Sequence, residues 1–280
     1  MIKGVRLHKV FESGFVSKHR IVAVDGVDIE IKDGETLALV GESGSGKSTL
    51  GRMLLMLLKP TSGEIFFDGR NLIELRAKEL RKIRQKMQLI PQHPESTLDP
   101  RWKIYDSIAE PLRIHKLADN SEEREIVNKL IEIVGLREEH LSRYPHELSG
   151  GELQRAVIAR VIALNPKFIV CDEPTSMLDV SVQASILNLL MELQRKLGVA
   201  YLFITHDLEV ARIIARRITV MYGEQIVEEG VGILDEPLHL TQEFLSKPST
   251  WTLSWSVLNM LSLPAGCKFY HSAQTAQACA

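Results

Sequence analysis

Three stretches of this 280-residue chain predict an α/β fold with a mainly parallel sheet core. Residues 41 to 48 read Gly-Glu-Ser-Gly-Ser-Gly-Lys-Ser, between an apolar run (Thr36 to Val40) and a helical pattern from Ser48 to Leu58. Phe168 to Asp172 is a second apolar run, ending in two carboxylates, Asp172 and Glu173. Val199 to Ile204 is a third, two residues before His206. Short apolar runs bounded by turn residues or charge read as buried strands.

The other elements follow along the chain. Residues 1 to 35 alternate in polarity, as in Val24 to Ile31, and read as antiparallel strands. Glu64 to Gly69, entered through Pro60-Thr-Ser-Gly63, is another such strand. Together they predict a small antiparallel β-subdomain beside the core. Arg76 to Lys86 alternates basic residues with Glu and Leu and reads as a solvated helix. Residues 104 to 147 are helix-rich, with an amphipathic helix from Ser121 to Val134 that Ser121 would cap. Leu148-Ser-Gly-Gly-Glu152 opens a further helix through Arg160. The core resumes near residue 156 and runs to a strand at Arg217 to Tyr222. From Leu240 the pattern weakens, and Thr250 to Ser262, rich in Trp, Ser and Leu, has no assigned fold.

The chemistry begins at residue 41. In Gly41, Glu42, Ser43, Gly44, Ser45 and Gly46, small residues let successive backbone N–H groups point inward as a nest for phosphate oxygens. Lys47 would then reach the outer phosphates, and the Ser48 hydroxyl can ligate Mg²⁺. Ser48 and Thr49 start a helix whose positive end faces the phosphates. Asp172, at a strand end, is the acidic partner that such a metal needs, and Glu173 is placed to polarise an attacking water. Ser149, Gly150 and Gly151 make a second anion-binding helix start. Two such surfaces on one chain suggest a nucleotide clamped between two copies.

These phrases resemble the ABC-type ATPases. Leu148 to Glu152 looks like the family signature, continued by Gln154 and Arg155. Asp172-Glu-Pro-Thr175 resembles the Walker B segment, and Ser176-Met-Leu-Asp179 the D-loop, with Met177 where Ala is usual. Ile204-Thr-His-Asp207 resembles the switch segment, and Gln92 fits the Q-loop, with Pro91 where related importers usually carry Phe. All six elements occur in family order between residues 41 and 207.

The resemblance implies a P-loop NTPase with a RecA-like parallel-sheet core, an antiparallel β-subdomain and a helical signature subdomain at about 104 to 155. The ATPase domain would span 1 to 239, and 240 to 280 would be a C-terminal extension. It implies that ATP and Mg²⁺ are bound, with Ser48, Gln92 and Asp172 at the metal. Glu173, His206 and Gln92 would act in hydrolysis. Ser149 to Gly151 and Asp179 would meet the nucleotide of the opposite subunit. An aromatic ring upstream of the loop would stack on adenine; spacing selects Phe11, with Phe15 as the alternative.

Several phrases are similar to the oligopeptide/dipeptide importer group, which includes nickel and oligosaccharide importers. They are Gly41 to Lys47, Glu95 to Arg101, Arg143 to Leu148 and Leu178 to Gln183. That implies a peripheral motor on the cytoplasmic face of the membrane. It would pair with a homologous ATPase subunit and two membrane-spanning permeases, fed by an extracellular binding protein. Gln92 to Trp102 would be the permease docking groove. Gly266-Cys-Lys-Phe269 resembles the start of the cysteine-rich tail of some relatives, but Cys267 and Cys279 are too few for a four-thiolate cluster.

Composition agrees with this class and argues against others. The chain is 45% hydrophobic and 25% charged, with formal net charge −2, an ordinary globular profile without whole-surface attraction to nucleic acid. No run approaches the roughly 20 apolar residues that span a bilayer, and no secretory leader pattern is present. A soluble ABC ATPase of DNA repair would normally carry a coiled-coil or zinc insertion between its Walker motifs, and residues 49 to 171 hold neither heptads nor cysteine pairs.

Overall fold

The computed structural model describes residues 1 to 13 and 19 to 233. Phe15, Cys267, Cys279, the 250 to 262 stretch and the expected boundary at 239 lie outside the described residues. The first half runs β1 (Ile2–Ser13), β2 (His19–Ile31), β3 (Thr36–Gly41), α1 (Lys47–Leu54), β4 (Ser62–Phe67), β5 (Arg70–Asn71), α2 (Ala77–Arg84), β6 (Met87–Ile90) and α3 (Ile104–His115). The second runs α4 (Asn120–Val134), α5 (Gly150–Ile162), β7 (Phe168–Asp172), α6 (Val180–Leu197), β8 (Ala200–Ile204), α7 (Leu208–Ile214), β9 (Arg217–Tyr222) and β10 (Gln225–Val231).

Two sheets result. The larger has six strands in the order β10-β9-β3-β8-β7-β6, and the smaller has the order β2-β1-β4-β5. In the larger sheet β9, β3, β8, β7 and β6 are parallel, and β10 is antiparallel at one edge. The smaller sheet is antiparallel throughout.

The apolar runs are continuous because both faces of the parallel sheet are covered. Side chains alternate between the faces. Phe168 and Val170 of β7, Leu202 and Ile204 of β8, and Leu37 and Leu39 of β3 join one core with Leu50, Met53 and Leu54 of α1 and the apolar side of the small sheet. Ile169 and Cys171, with Tyr201 and Phe203, point the other way into a core shared with α3, α4, α5 and α6. Burial pushes the Cys171 thiol far above its usual range, so it packs as a hydrophobe rather than reacting.

Two boundaries differ from the sequence expectation. Helix α1 ends at Leu54 rather than Leu58. Met56 takes φ 53°, and the N–H groups of both Leu57 and Leu58 turn back to the Arg52 carbonyl. That left-handed residue closes the helix, as a C-terminal cap does. The cap of α4 is Asp119, not Ser121. The Asp119 carboxylate accepts from the N–H groups of Ser121 and Glu122 and from the Ser121 hydroxyl, so a charged acceptor two residues earlier outcompetes the serine. The boundary expected near 155 falls inside α5, whose residues 156 to 159 are fully buried. Helix α2 buries none of its residues, in keeping with a solvated face.

Candidate active site

Strand order assembles the site. The loop at 41 to 46 follows β3, His206 follows β8, Asp172 ends β7, and Gln92 follows β6. Those four strands are neighbours and parallel, so all four groups emerge at one carboxyl edge of the sheet. Residues 46 to 49, Gln92, Glu173 and His206 line a single cleft of about 470 Å³.

Gly46 shows why the loop needs glycine. Its φ is 97°, and a Cβ there would lie 2.0 Å from the Ala23 carbonyl oxygen of β2. The small sheet thus presses on the loop from outside. Gly46 is also the N-cap of α1 and supplies no side-chain cap, so the first amides of that helix remain available to an anion. Lys47 is buried, and its Nζ donates to the carbonyls of Gly41 (2.8 Å) and Glu42 (2.6 Å). Burial lowers its pKa, against the raising pull of Glu173, Asp172 and Glu42.

Asp172 is 5% exposed and accepts from Ser48 Oγ at 2.7 Å, joining β7 to the start of α1. Burial raises its carboxyl above the ordinary range; the Ser48 bond, Arg52 and Lys47 oppose that, and Glu173 adds to it. A buried carboxylate still short of positive charge, beside the Ser48 hydroxyl, is a hard-oxygen donor pair that fits Mg²⁺. Glu173 sits at φ 48°, a left-handed conformation for a non-glycine residue. Its N–H donates to Ile204 O (3.0 Å), tying the ends of β7 and β8. Its Oε2 accepts from Gln92 Nε2 (2.9 Å) and faces His206 Nδ1 (3.2 Å). Gln92 and His206 therefore converge on one Glu173 oxygen.

The remaining expected residues lie elsewhere. Ser149, Gly150 and Asp179 are exposed, and none of them lines the cleft. Ser149 caps α5 in a reciprocal box with Glu152. A Cβ on Gly151 would lie 2.5 Å from Val182 Cγ1, so the signature helix packs directly against α6, which Asp179 begins. Phe11 is 41% exposed on β1, paired with Ile21 and carrying Lys9 Nζ 5.2 Å above its ring. It does not line the cleft; Ala23, two residues beyond Ile21, does. Ala23 was not foreseen, because nothing about an alanine announces that the loop will rest on its carbonyl.

Known proteins with this arrangement are informative. A family profile described as ABC transporter matches residues 24 to 176. The glutathione import ATP-binding protein GsiA of Salmonella paratyphi A is 48% identical over 242 residues, covering 85% of this chain but 39% of that protein. This chain therefore spans well under half the length of that relative. The oligopeptide transport ATP-binding protein OppF of Bacillus subtilis is 47% identical over 250 residues, covering 88% of this chain and 80% of its own length. Among solved structures, the dimeric post-hydrolysis state of the ATP-binding cassette MJ0796, bound to ADP and Pi, superposes with a TM-score of 0.75. It is 32% identical and covers 82% of this chain and 98% of its own. CbiO1 from Clostridium perfringens, part of the ABC transporter complex cbiONQ, gives a TM-score of 0.72 at 28% identity, covering 83% of this chain and 88% of its own.

Proposed function

Because this chain belongs to the ABC transporter family of ATP-binding proteins, we propose that it is the ATP-hydrolysing motor subunit of an importer for oligopeptides or dipeptides. One observation carries the hydrolytic part. Gln92 and His206 meet on the same Glu173 oxygen, beside a phosphate loop whose Ser48 is bonded to Asp172.

ATP places its phosphates against the amides of residues 44 to 49 and the Lys47 ammonium. Ser48, Asp172 and Gln92 would hold Mg²⁺, which supplies charge neutralisation on the phosphate oxygens. Glu173 orients a water and accepts its proton as the water oxygen bonds to the γ-phosphorus. The bond from that phosphorus to the β,γ-bridging oxygen breaks, and its electron pair departs with ADP. His206 holds Glu173 and the γ-phosphate in register. Phe11 is assigned to the adenine.

The exposed signature supports pairing. None of Ser149, Gly150 and Gly151 lines the cleft of its own chain, and they are assigned to the nucleotide of a homologous ATPase subunit, with Asp179 at the seam. Closure of that pair drives two membrane-spanning permeases, which dock at residues 92 to 102, and hydrolysis reopens it. The cassette occupies 1 to 239, with 240 to 280 as an extension. No helix of the described residues is long and apolar enough to cross a membrane. The likeness to importer ATPases supports assigning the subunit to the cytoplasmic face of a membrane as a peripheral component. The peptide cargo rests on the likeness to OppF.

The tagged chain should co-purify with hydrophobic permeases, and their binding protein should retain peptides over sugars and nickel. Glu173→Gln should keep ATP binding while turnover falls about 10²- to 10⁴-fold, the usual worth of a general base. Normal phosphate release from that variant would refute the role of Glu173.

A further inference from the structure

His140 lies in a short 3-10 helix (Glu138–Ser142) and is 6% exposed. Both ring nitrogens are engaged. Nδ1 accepts from the Arg137 N–H at 3.0 Å. Nε2 stands 3.3 Å from Glu152 Oε1. An accepting Nδ1 places the ring proton on Nε2, so the imidazole donates to that carboxylate. The other Glu152 oxygen, Oε2, accepts from Ser149 N (2.9 Å) and Ser149 Oγ (2.8 Å). A continuous chain therefore runs from the Arg137 backbone through His140 and Glu152 to the residue that opens the signature helix. Glu139 offers a weaker alternative at 4.0 Å from Nε2, and it is itself drawn 3.6 Å from Arg143.

We propose that His140 is a positioning residue for the signature, acting through Glu152. This rests on the functional reading above, in which Ser149 and the first amides of α5 meet the partner's nucleotide. Glu152 has three rotatable side-chain bonds and is about one-third exposed, so alone it samples solvent-facing rotamers. Pinning Oε1 to a buried imidazole leaves Oε2 aimed at Ser149. Ser149 is then fixed as the cap, and the Gly150 and Gly151 amides behind it are held before the partner arrives, which lowers the ordering cost of association. Nothing in the Leu-Ser-Gly-Gly-Glu phrase points to a histidine nine residues upstream of its serine.

Two substitutions differing by one methylene test this. Gln at 140 can place its amide nitrogen where Nε2 stands. Asn keeps a polar group for the Arg137 N–H but stops short of Glu152. The full-length tagged chain, with the assembly that co-purifies with it, is assayed for ATP-dependent turnover and for binding of a fluorescent ATP analogue to the separated subunit. His140→Asn should raise the half-saturating ATP concentration for turnover about fivefold, the worth of one hydrogen bond. Analogue binding should be unchanged, and His140→Gln should stay near the parent value. Equal half-saturation for the two variants, in an assembly that pairs on ATP, overturns the role of His140. An unmodified assembly that hydrolyses ATP without pairing overturns the functional reading itself, and this inference with it.

Discussion

Asp172→Asn should make the nucleotide-free protein more stable while destroying its use of Mg²⁺. Asp172 is 5% exposed, and its partner Ser48 Oγ lies 2.7 Å away. Asn keeps an oxygen that can accept that bond and removes a charge that the surroundings do not fully compensate. Relieving such a site is worth about 1 kcal/mol, or about 2–4 °C in melting temperature for a domain of this size. The effect has a pH sign. Burial raises the folded carboxyl above the ordinary 3.8, so the folded state binds this proton more readily than the unfolded chain. The parent is therefore penalised above the folded pKa, and the penalty disappears as pH falls toward 3.8. The melting gap should be widest near pH 8 in chelator and close on acidification. With Mg-ATP at about 100 times its dissociation constant the parent gains about 2.7 kcal/mol, and the order of the two proteins reverses. Differential scanning fluorimetry reads both conditions. A variant that melts below the parent in chelator at pH 8 would refute the view of Asp172 as an uncompensated buried charge.

Two further perturbations probe the loop and the helical region. Gly46→Ala forces a left-handed alanine with its methyl 2.0 Å from the Ala23 carbonyl; with the conformational term alone at about 1–2 kcal/mol, ATP affinity should fall at least about tenfold, read by fluorescent-nucleotide titration with unchanged circular dichroism. Glu123 is buried and accepts from Arg113 at 2.8 and 2.7 Å, which holds its carboxyl below the ordinary 4.5. That stability is present above 4.5 and is lost as pH falls through the folded pKa. Glu123→Gln should therefore lose about 2 kcal/mol near pH 7 in urea titrations, and the gap should narrow in acid.

The amino-acid order was sufficient for several elements whose cause is local. The phosphate loop, the apolar strands ending in Asp172 and near His206, and the Gly-Gly helix start are each dictated by backbone freedom, burial period or capping chemistry within a few residues. Local competition also explains the errors. Asp119 displaced Ser121 as a cap, and a left-handed Met56 ended α1 early. Folding alone settled which neighbours these pieces acquire. Strand β8 inserts between β3 and β7, and that insertion brings His206 to Glu173 although 33 positions separate them. Ala23 beneath Gly46, Val182 against Gly151 and His140 behind Glu152 arise the same way. Their chemistry is ordinary until packing places it, because a contact between distant residues depends on sheet order and helix docking, which no short window of residues encodes.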